Sequence, residues 1–391
     1  MFRQHKDVLQ RKSSEKVIHR GEASDWRIPR QMGSLGPKAM ITGGTGYSGF
    51  HLCRVLLQEG IGVVLLDRHE PKWELPKGAV FFQADVCDYE KVFQASEGID
   101  TIYHLASFGM SGGEQLKKLK EIDSINVGGT KVIIDVCKSR NISRLIYGSS
   151  VIVIFGGDPI EDGDETLPYY PLEKQPDNYS KSKTIAEQMI LAANGAPLQD
   201  GETLRTCALR PPGIYGPGDN KHISRFIKII QGYLLYVTFD TMGTWTNWVH
   251  IYNLTQAYLL ARRALTAERN FIASGQAYFI NDGEKINFFK WTSVLYEKLG
   301  HLKPRLVLPG YFLKIIVTLL EHLYWLLHPI FHFIPFLTKR EVGHILVTYT
   351  FRIDKARKQL GFHPKKYSLA EVVDDYLQRK SMHEDKGNPS P

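Results

Sequence analysis

Residues Gly43-Gly44-Thr45-Gly46-Tyr47-Ser48-Gly49 constrain the fold of this chain more than any other feature. They follow a short apolar run, Ala39-Met40-Ile41, and precede a helical stretch through His51 to Leu57. In a G-x-x-G-x-x-G turn between strand and helix, each glycine has a separate task. Gly43 permits the tight turn, Gly46 lets the backbone approach a pyrophosphate, and Gly49 lets the helix pack on the strand. Free amides at the helix start then face the phosphates. Glycine turns alone are common, so the downstream context decides. Gly62 to Asp67 is a continuous apolar run ending in an acid 18 residues past Gly49. An acid near that spacing binds the adenosine ribose hydroxyls and repels a 2′-phosphate. The expected ligand is a dinucleotide, NAD first, with NADP left open by the adjacent Arg68.

The rest of the first half repeats this rhythm. Val80 to Asp85, Thr101 to Ala106 and Arg144 to Tyr147 read as strands buried on both faces, with helical stretches such as Thr130 to Ser139 between them. Alternating strands and helices predict a doubly wound parallel α/β sheet of Rossmann type. After Arg210 the rhythm breaks at a cluster of prolines and glycines running to Gly218. The expected organisation is a basic flexible extension at 1–37, a dinucleotide-binding domain at 38–210 and a smaller, mostly helical substrate region at 211–379. That region is interleaved with the core and lies over the sheet's carboxyl edge. A polar tail is expected at 380–391. Residues 306–337 are strongly apolar yet broken by Pro309, Lys314, Glu321, Pro329 and Pro335. The best helix there, Tyr311 to Leu327, is marginal for spanning a bilayer. A buried lid over an apolar pocket and shallow insertion into a membrane face both remain open.

Charge and cysteine content narrow the setting. The net charge is +8, and in residues 1–37 eight basic side chains face four acidic ones. The remaining excess is scattered, without the basic and aromatic stripe that a nucleic-acid partner requires. Cys53, Cys87, Cys137 and Cys207 form no C-x-x-C pair, so they read as core residues in a reducing compartment, and no metal site is expected. The start of the chain has no apolar core of a secretory signal. Three sequons occur at Asn141, Asn178 and Asn253. The second touches the tyrosine discussed next, so all three read as accidental in a cytosol-facing protein.

Tyr179-Ser180-Lys181-Ser182-Lys183 places a tyrosine and a lysine four residues apart, on one face of the expected helix. A free phenol has a pKa near 10. An ammonium one turn away stabilises the phenolate and brings Tyr179 toward proton exchange at neutral pH. Alone this pair is a weak signal; downstream of the glycine turn it becomes a catalytic acid/base candidate. Tyr147-Gly148-Ser149-Ser150 ends a strand, and of its two serines Ser150 is chosen to orient a substrate oxygen. Asn126 is a further catalytic candidate, through a water-mediated proton path past Lys183. Anchoring a helix bend is its equally weighted alternative.

In this order the motifs resemble the extended short-chain dehydrogenase/reductase family over roughly Lys38 to Arg379. Gly43 to Gly49, Asp85, Asn126, the serine pair, Tyr179/Lys183, Arg210-Pro211 and Tyr215-Gly216-Pro217 match its landmarks. Trp248 to Asn253 is similar to a later one, with Asn253 in place of the usual Asp. Ile272 to Gly283 and Pro335-Phe336-Leu337-Thr338 look closest to the 3β-hydroxysteroid dehydrogenase branch, in particular its 42E group. The resemblance implies Tyr179 as proton acceptor, Lys183 at the nicotinamide ribose, and Asp67 at the adenosine ribose. It places Asp85 and Val86 near adenine, and Tyr47, Leu105 and Ala106 are expected in the same cofactor site. A steroid-like alcohol or ketone is the implied substrate. Gly148 departs from a common Thr or Ser, and Ile154-Phe155-Gly156 adds a residue to the usual turn. A homodimer and peripheral contact with the endoplasmic reticulum membrane through 306–337 are the implied associations. Two other functions fit the scaffold: a nucleotide-sugar epimerase or dehydratase, and a non-catalytic NAD(H) sensor. Val151-Ile152 after Ser150 replaces the acidic pair of dehydratases, and retention of both Tyr179 and Lys183 argues against a sensor.

Overall fold

The computed structural model describes residues 38–110, 119–219, 223–231, 237–240, 243–304, 306–327 and 339–387. The extension expected at 1–37 lies outside them. The described strands are β1 (Lys38–Thr42), β2 (Gly62–Asp67), β3 (Ala79–Gln83), β4 (Thr101–His104), β5 (Arg144–Gly148), β6 (Ile160–Gly163) and β7 (Arg205–Arg210). They continue with β8 (Gly213–Tyr215), β9 (Val237–Asp240), β10 (Trp248–His250), β11 (Gln276–Phe279), β12 (Leu306–Pro309) and β13 (Tyr349–Phe351). Seven of them form one parallel sheet in the order β11-β7-β5-β4-β1-β2-β3.

The apolar runs explain this sheet. Val63 to Leu66 of β2 and all four residues of β4 are buried, because helices cover both faces. On one side lie the helices Tyr47–Gln58, Ile251–Ala264 and Asp354–Leu360, through Leu52, Leu56, Leu254 and Leu360. On the other lie Tyr89–Ala95, Gly129–Arg140 and Asn178–Ala192, through Val92, Ile133, Ala186 and Ile190. Each such large apolar side chain contributes about 1.5–3 kcal/mol on burial.

From β1 the chain moves outward through β2 and β3, then returns to the far side of β1 with β4. That reversal opens a crevice at the carboxyl ends of β1 and β4, where open α/β sheets bind ligands. The chain leaves the sheet after β7 and rejoins it with β11. Three two-stranded parallel pairs, β8–β10, β9–β12 and β6–β13, accompany the helices of the second half. The last described helix, Leu369–Gly387, continues past residue 379 into the segment expected as a polar tail.

The apolar segment departs from the buried-lid expectation. Its helix, Gly310–Leu327, turns Leu313 and Val317 onto Val342 of the helix Lys339–Leu346. Tyr311, Phe312, Ile315, Ile316, Leu319, Leu323 and Leu326 stay exposed, Leu326 at 74%. The helix has more large apolar residues than one packing stripe can cover. None of its described residues lines the cavity at the carboxyl ends of β1 and β4. No described helix is long and apolar enough to cross a membrane. Residues 328–338 lie outside the described set.

Candidate active site

A cavity of about 560 Å³ lies in the crevice. That is the size class of small-ligand sites. The glycine turn forms one wall. Gly43 has φ +67°, and a Cβ there would stand 2.9 Å from the backbone of Ala106. A Cβ on Gly49 would stand 2.5 Å from the Gly43 carbonyl, so helix and turn touch only because it is glycine. The helix Tyr47–Gln58 starts with no side-chain cap and no acid in its first turn. Its amides and the positive end of its dipole are thus left for an anion. This cradle fits a pyrophosphate.

Asp67, Asp85 and Val86 line the same cavity, as do Tyr47, Leu105 and Ala106. The Asp67 carboxylate accepts from the Thr45 amide (3.2 Å) and the His69 amide (3.1 Å), which fixes it at the end of β2. Arg68 also reaches the cavity, its guanidinium 5.2 Å from the centre of the Phe108 ring. Leu105 and Ala106 are held by Thr42, whose carbonyl and hydroxyl accept their amides at 3.2 and 3.1 Å.

Tyr179 and Lys183 both face the cavity from the helix Asn178–Ala192. Asp177 caps that helix by accepting from the Ser180 amide at 2.8 Å. Ile122, Ile152, Phe108 and Met110 surround the Tyr179 ring. The Lys183 ammonium donates to the Gly148 carbonyl at 2.5 Å and sits 4.2 Å from the centre of the Tyr147 ring. Burial pulls its pKa down to about 7, against the partial support of Glu187 one turn on.

The two serines are placed differently. Ser150 accepts from the Ile152 amide at 3.4 Å, capping the short turn Val151–Val153, and does not line the cavity. Ser149 does line it, 6% exposed, and its hydroxyl has no partner among the described residues. A buried hydroxyl without a partner is costly unless a ligand completes it. The structure thus sets Ser149, rather than the expected Ser150, on the cavity wall: successive side chains leaving β5 point opposite ways, and the first points inward.

Asn126 lies on a π-helical turn, Ser124–Gly128, and does not line the cavity. Its side chain accepts from the Phe108 amide (2.8 Å) and donates to the Phe108 carbonyl and the Ser182 hydroxyl (both 2.9 Å). Its carbonyl accepts from Thr130 at 2.6 Å. In this arrangement it anchors a helix bend and the Phe108 loop. Beneath it the His104 ring bridges Thr42 (2.7 Å) and Thr130 (2.9 Å). Burial lowers His104 to about 3, so it is a neutral strut.

Sequence reasoning missed one buried group beside the lysine. Glu187, fully buried, accepts from Arg210 Nη2 at 2.5 Å and from the Tyr169 hydroxyl at 2.8 Å. The signal was available, since Glu187 stands one turn from Lys183 and Arg210 begins the Arg-Pro-Pro run. Cys53, Cys137 and Cys207 are buried, as expected, whereas Cys87 is only half-buried; burial raises Cys53 and Cys207 to about 12, which makes both inert thiols.

Known proteins share both sequence and fold with this chain. Residues 40–310 match the 3-beta hydroxysteroid dehydrogenase/isomerase family. The human short-chain dehydrogenase/reductase family 42E member 1 is 43% identical over 339 residues, 86% of each chain. A 3 beta-hydroxysteroid dehydrogenase/Delta 5→4-isomerase of Mycobacterium tuberculosis is 32% identical over 348 residues, 87% of this chain and 90% of its own. Among solved structures, the UDP-glucose 4-epimerase of Thermotoga maritima with UDP-glucose superposes with a TM-score of 0.66. It is 19% identical and covers 88% of this chain and 99% of its own. MoeE5 in complex with UDP-glucuronic acid and NAD gives 0.65 at 21% identity, over 88% and 99%. These two likenesses speak for the fold alone. The glycine cradle, the Tyr179/Lys183 pair and the match over 40–310 together make this chain a member of the 3-beta hydroxysteroid dehydrogenase/isomerase family, within the extended short-chain dehydrogenase/reductases.

Proposed function

We propose that this chain oxidises a secondary alcohol on an apolar, steroid-like substrate, and reduces the matching ketone, with NAD as the redox partner. The observation that carries the reading is Ser149, Tyr179 and Lys183 meeting in one cavity with a glycine cradle on its wall. NAD supplies the hydride acceptor when bound. Asp67 favours it over NADP, because a second negative charge at the ribose would meet a carboxylate already fixed in place. Tyr179 takes the hydroxyl proton on oxidation and returns it on reduction. The Lys183 ammonium stabilises the phenolate, and the Ser149 hydroxyl orients the substrate oxygen. Phe108, Met110, Ile125, Pro211 and Ile214 give the cavity its apolar lining, which suits a sterol skeleton in line with the relatives' names. The test is NADH formation from a panel of 3β-hydroxysteroids and sterols, lost on Tyr179→Phe.

The substrate class also bears on the exposed face of Gly310–Leu327. We infer that this face rests on an anionic lipid surface, the cytosolic side of the endoplasmic reticulum being the expected one. Between residues 302 and 340 the basic residues Lys303, Arg305, Lys314, Lys339 and Arg340 stand against a single acid, Glu321. A basic excess in the sequence of an apolar segment suits acidic headgroups, whereas a second copy of the same segment would bring like charges together. Sedimentation with phosphatidylserine vesicles, and not with pure phosphatidylcholine, is the expected result.

A further inference from the structure

The cavity contains a hydroxyl that the proposed chemistry does not use. Tyr258, on the helix Ile251–Ala264, is 2% exposed and lines the cavity with Gly148, Ser149, Tyr179 and Lys183. Its ring stands edge-on to that of Tyr103, with centres 6.1 Å apart, inside the core on that side of the sheet. Packing of this kind fixes where the hydroxyl points. Gly148 makes the room: a Cβ there would stand 2.8 Å from Tyr258 Oη and 2.8 Å from Leu105 Cδ2. The hydroxyl thus occupies the space of the missing side chain at the end of β5, beside the residue whose carbonyl receives Lys183. Burial pushes the phenol above its ordinary range, so it is a neutral donor and acceptor at physiological pH.

We propose that Tyr258 Oη is a polar contact for the carboxamide of the bound nicotinamide, and so a positioning residue for that ring. The assignment rests on the cofactor reading above. A ring that exchanges hydride with a carbon held at Tyr179 and Ser149 must lie beside Gly148 and Leu105. The single reacting oxygen of an apolar substrate is already served by Ser149 and Tyr179. The carboxamide is the uncharged hydrogen-bonding group left in that part of the cavity, and a buried hydroxyl facing it would otherwise stay unsatisfied once water is displaced.

Binding alone tests this, with no need to know the substrate. NADH and ADP-ribose, which lacks the nicotinamide ring, are titrated into the wild type and Tyr258→Phe by calorimetry. The expected result is unchanged affinity for ADP-ribose and a loss for NADH of roughly two- to tenfold, the span of one neutral hydrogen bond. Equal losses for both ligands would show a structural role and overturn the assignment. So would unchanged NADH binding, or a defect confined to KM for the alcohol. Failure of the wild type to bind either ligand would overturn the cofactor reading itself, along with this one. The melting temperature of Tyr258→Phe, which keeps the ring, should stay close to the wild type's.

Discussion

Two helices of this molecule reverse the ordinary rule of burial in opposite ways. Asn178–Ala192 buries Ser180, Ser182, Lys183, Thr184 and Glu187, residue types that normally face water. Gly310–Leu327 exposes seven large apolar side chains that normally face a core. The first violation is compensated inside the fold: each buried polar group on that helix has a named partner, from Gly148 to Arg210. The second has no compensation among the described residues of the chain, which is why a partner outside it is proposed. Departures from local rules cluster where function sits. On the proposed reading, the inward departure marks chemistry and the outward one marks contact.

The sharpest way to break this contrast is to unpair the first helix. Glu187→Gln leaves the Arg210 charge buried and should destabilise the protein by about 3–5 kcal/mol, read by chemical denaturation. A loss below about 1 kcal/mol would mean that the pair is not a structural element of the site.

Next comes Lys183→Met. The buried lysine has a pKa of about 7, below its ordinary 10.5, so the unfolded chain binds more protons between those values. The penalty of burying the charge is therefore fully present below pH 7 and fades as pH rises toward 10.5. Lys183→Met should raise the melting temperature at pH 6 by a few degrees while ending turnover, and the gain should shrink by pH 9.5. A gain independent of pH would contradict the assigned burial cost.

The neighbouring serines give a smaller and more specific contrast. Ser149→Ala should cost about ten- to a hundredfold in turnover with little change in stability. Ser150→Ala should cost about 1 kcal/mol of stability, as for a lost cap, with turnover largely kept. The reverse pattern would assign the substrate contact to Ser150. The smallest effect on the fold belongs to the second helix. Leu319→Glu combined with Leu326→Glu should leave the melting temperature unchanged and abolish vesicle binding. A drop in stability instead would show that this face packs within the protein.

Much of the architecture was legible because it rests on local chemistry. The glycine turn, the apolar runs ending at Asp67 and Ala106, and the Tyr179/Lys183 spacing each carry a physical demand that few other patterns satisfy. What the sequence did not reveal depends on direction and long-range pairing. Whether Ser149 or Ser150 points inward turns on the exit geometry of β5, which alternation in sequence leaves ambiguous by one residue. Asn126 reads equally as relay or anchor until its partners, Phe108 and Ser182, are placed beside it. The Glu187–Arg210 pair spans β7 and the helix Asn178–Ala192, 23 residues apart, and has no periodic signature. Gly148 stood out as a departure, but its meaning came only with Tyr258, more than a hundred residues on.

On the proposed reading this cavity transfers hydride to NAD with Tyr179 as the proton acceptor. Absorbance at 340 nm with NAD and a panel of 3β-hydroxysteroids, on vesicle-supported wild type and Tyr179→Phe, tests it most directly. NADH formation by the wild type and a loss of about 10²–10⁴ in turnover for the variant, with NADH affinity retained, are the expected results. Turnover that survives Tyr179→Phe would contradict it, as would tight NADH binding without turnover on any alcohol of the panel.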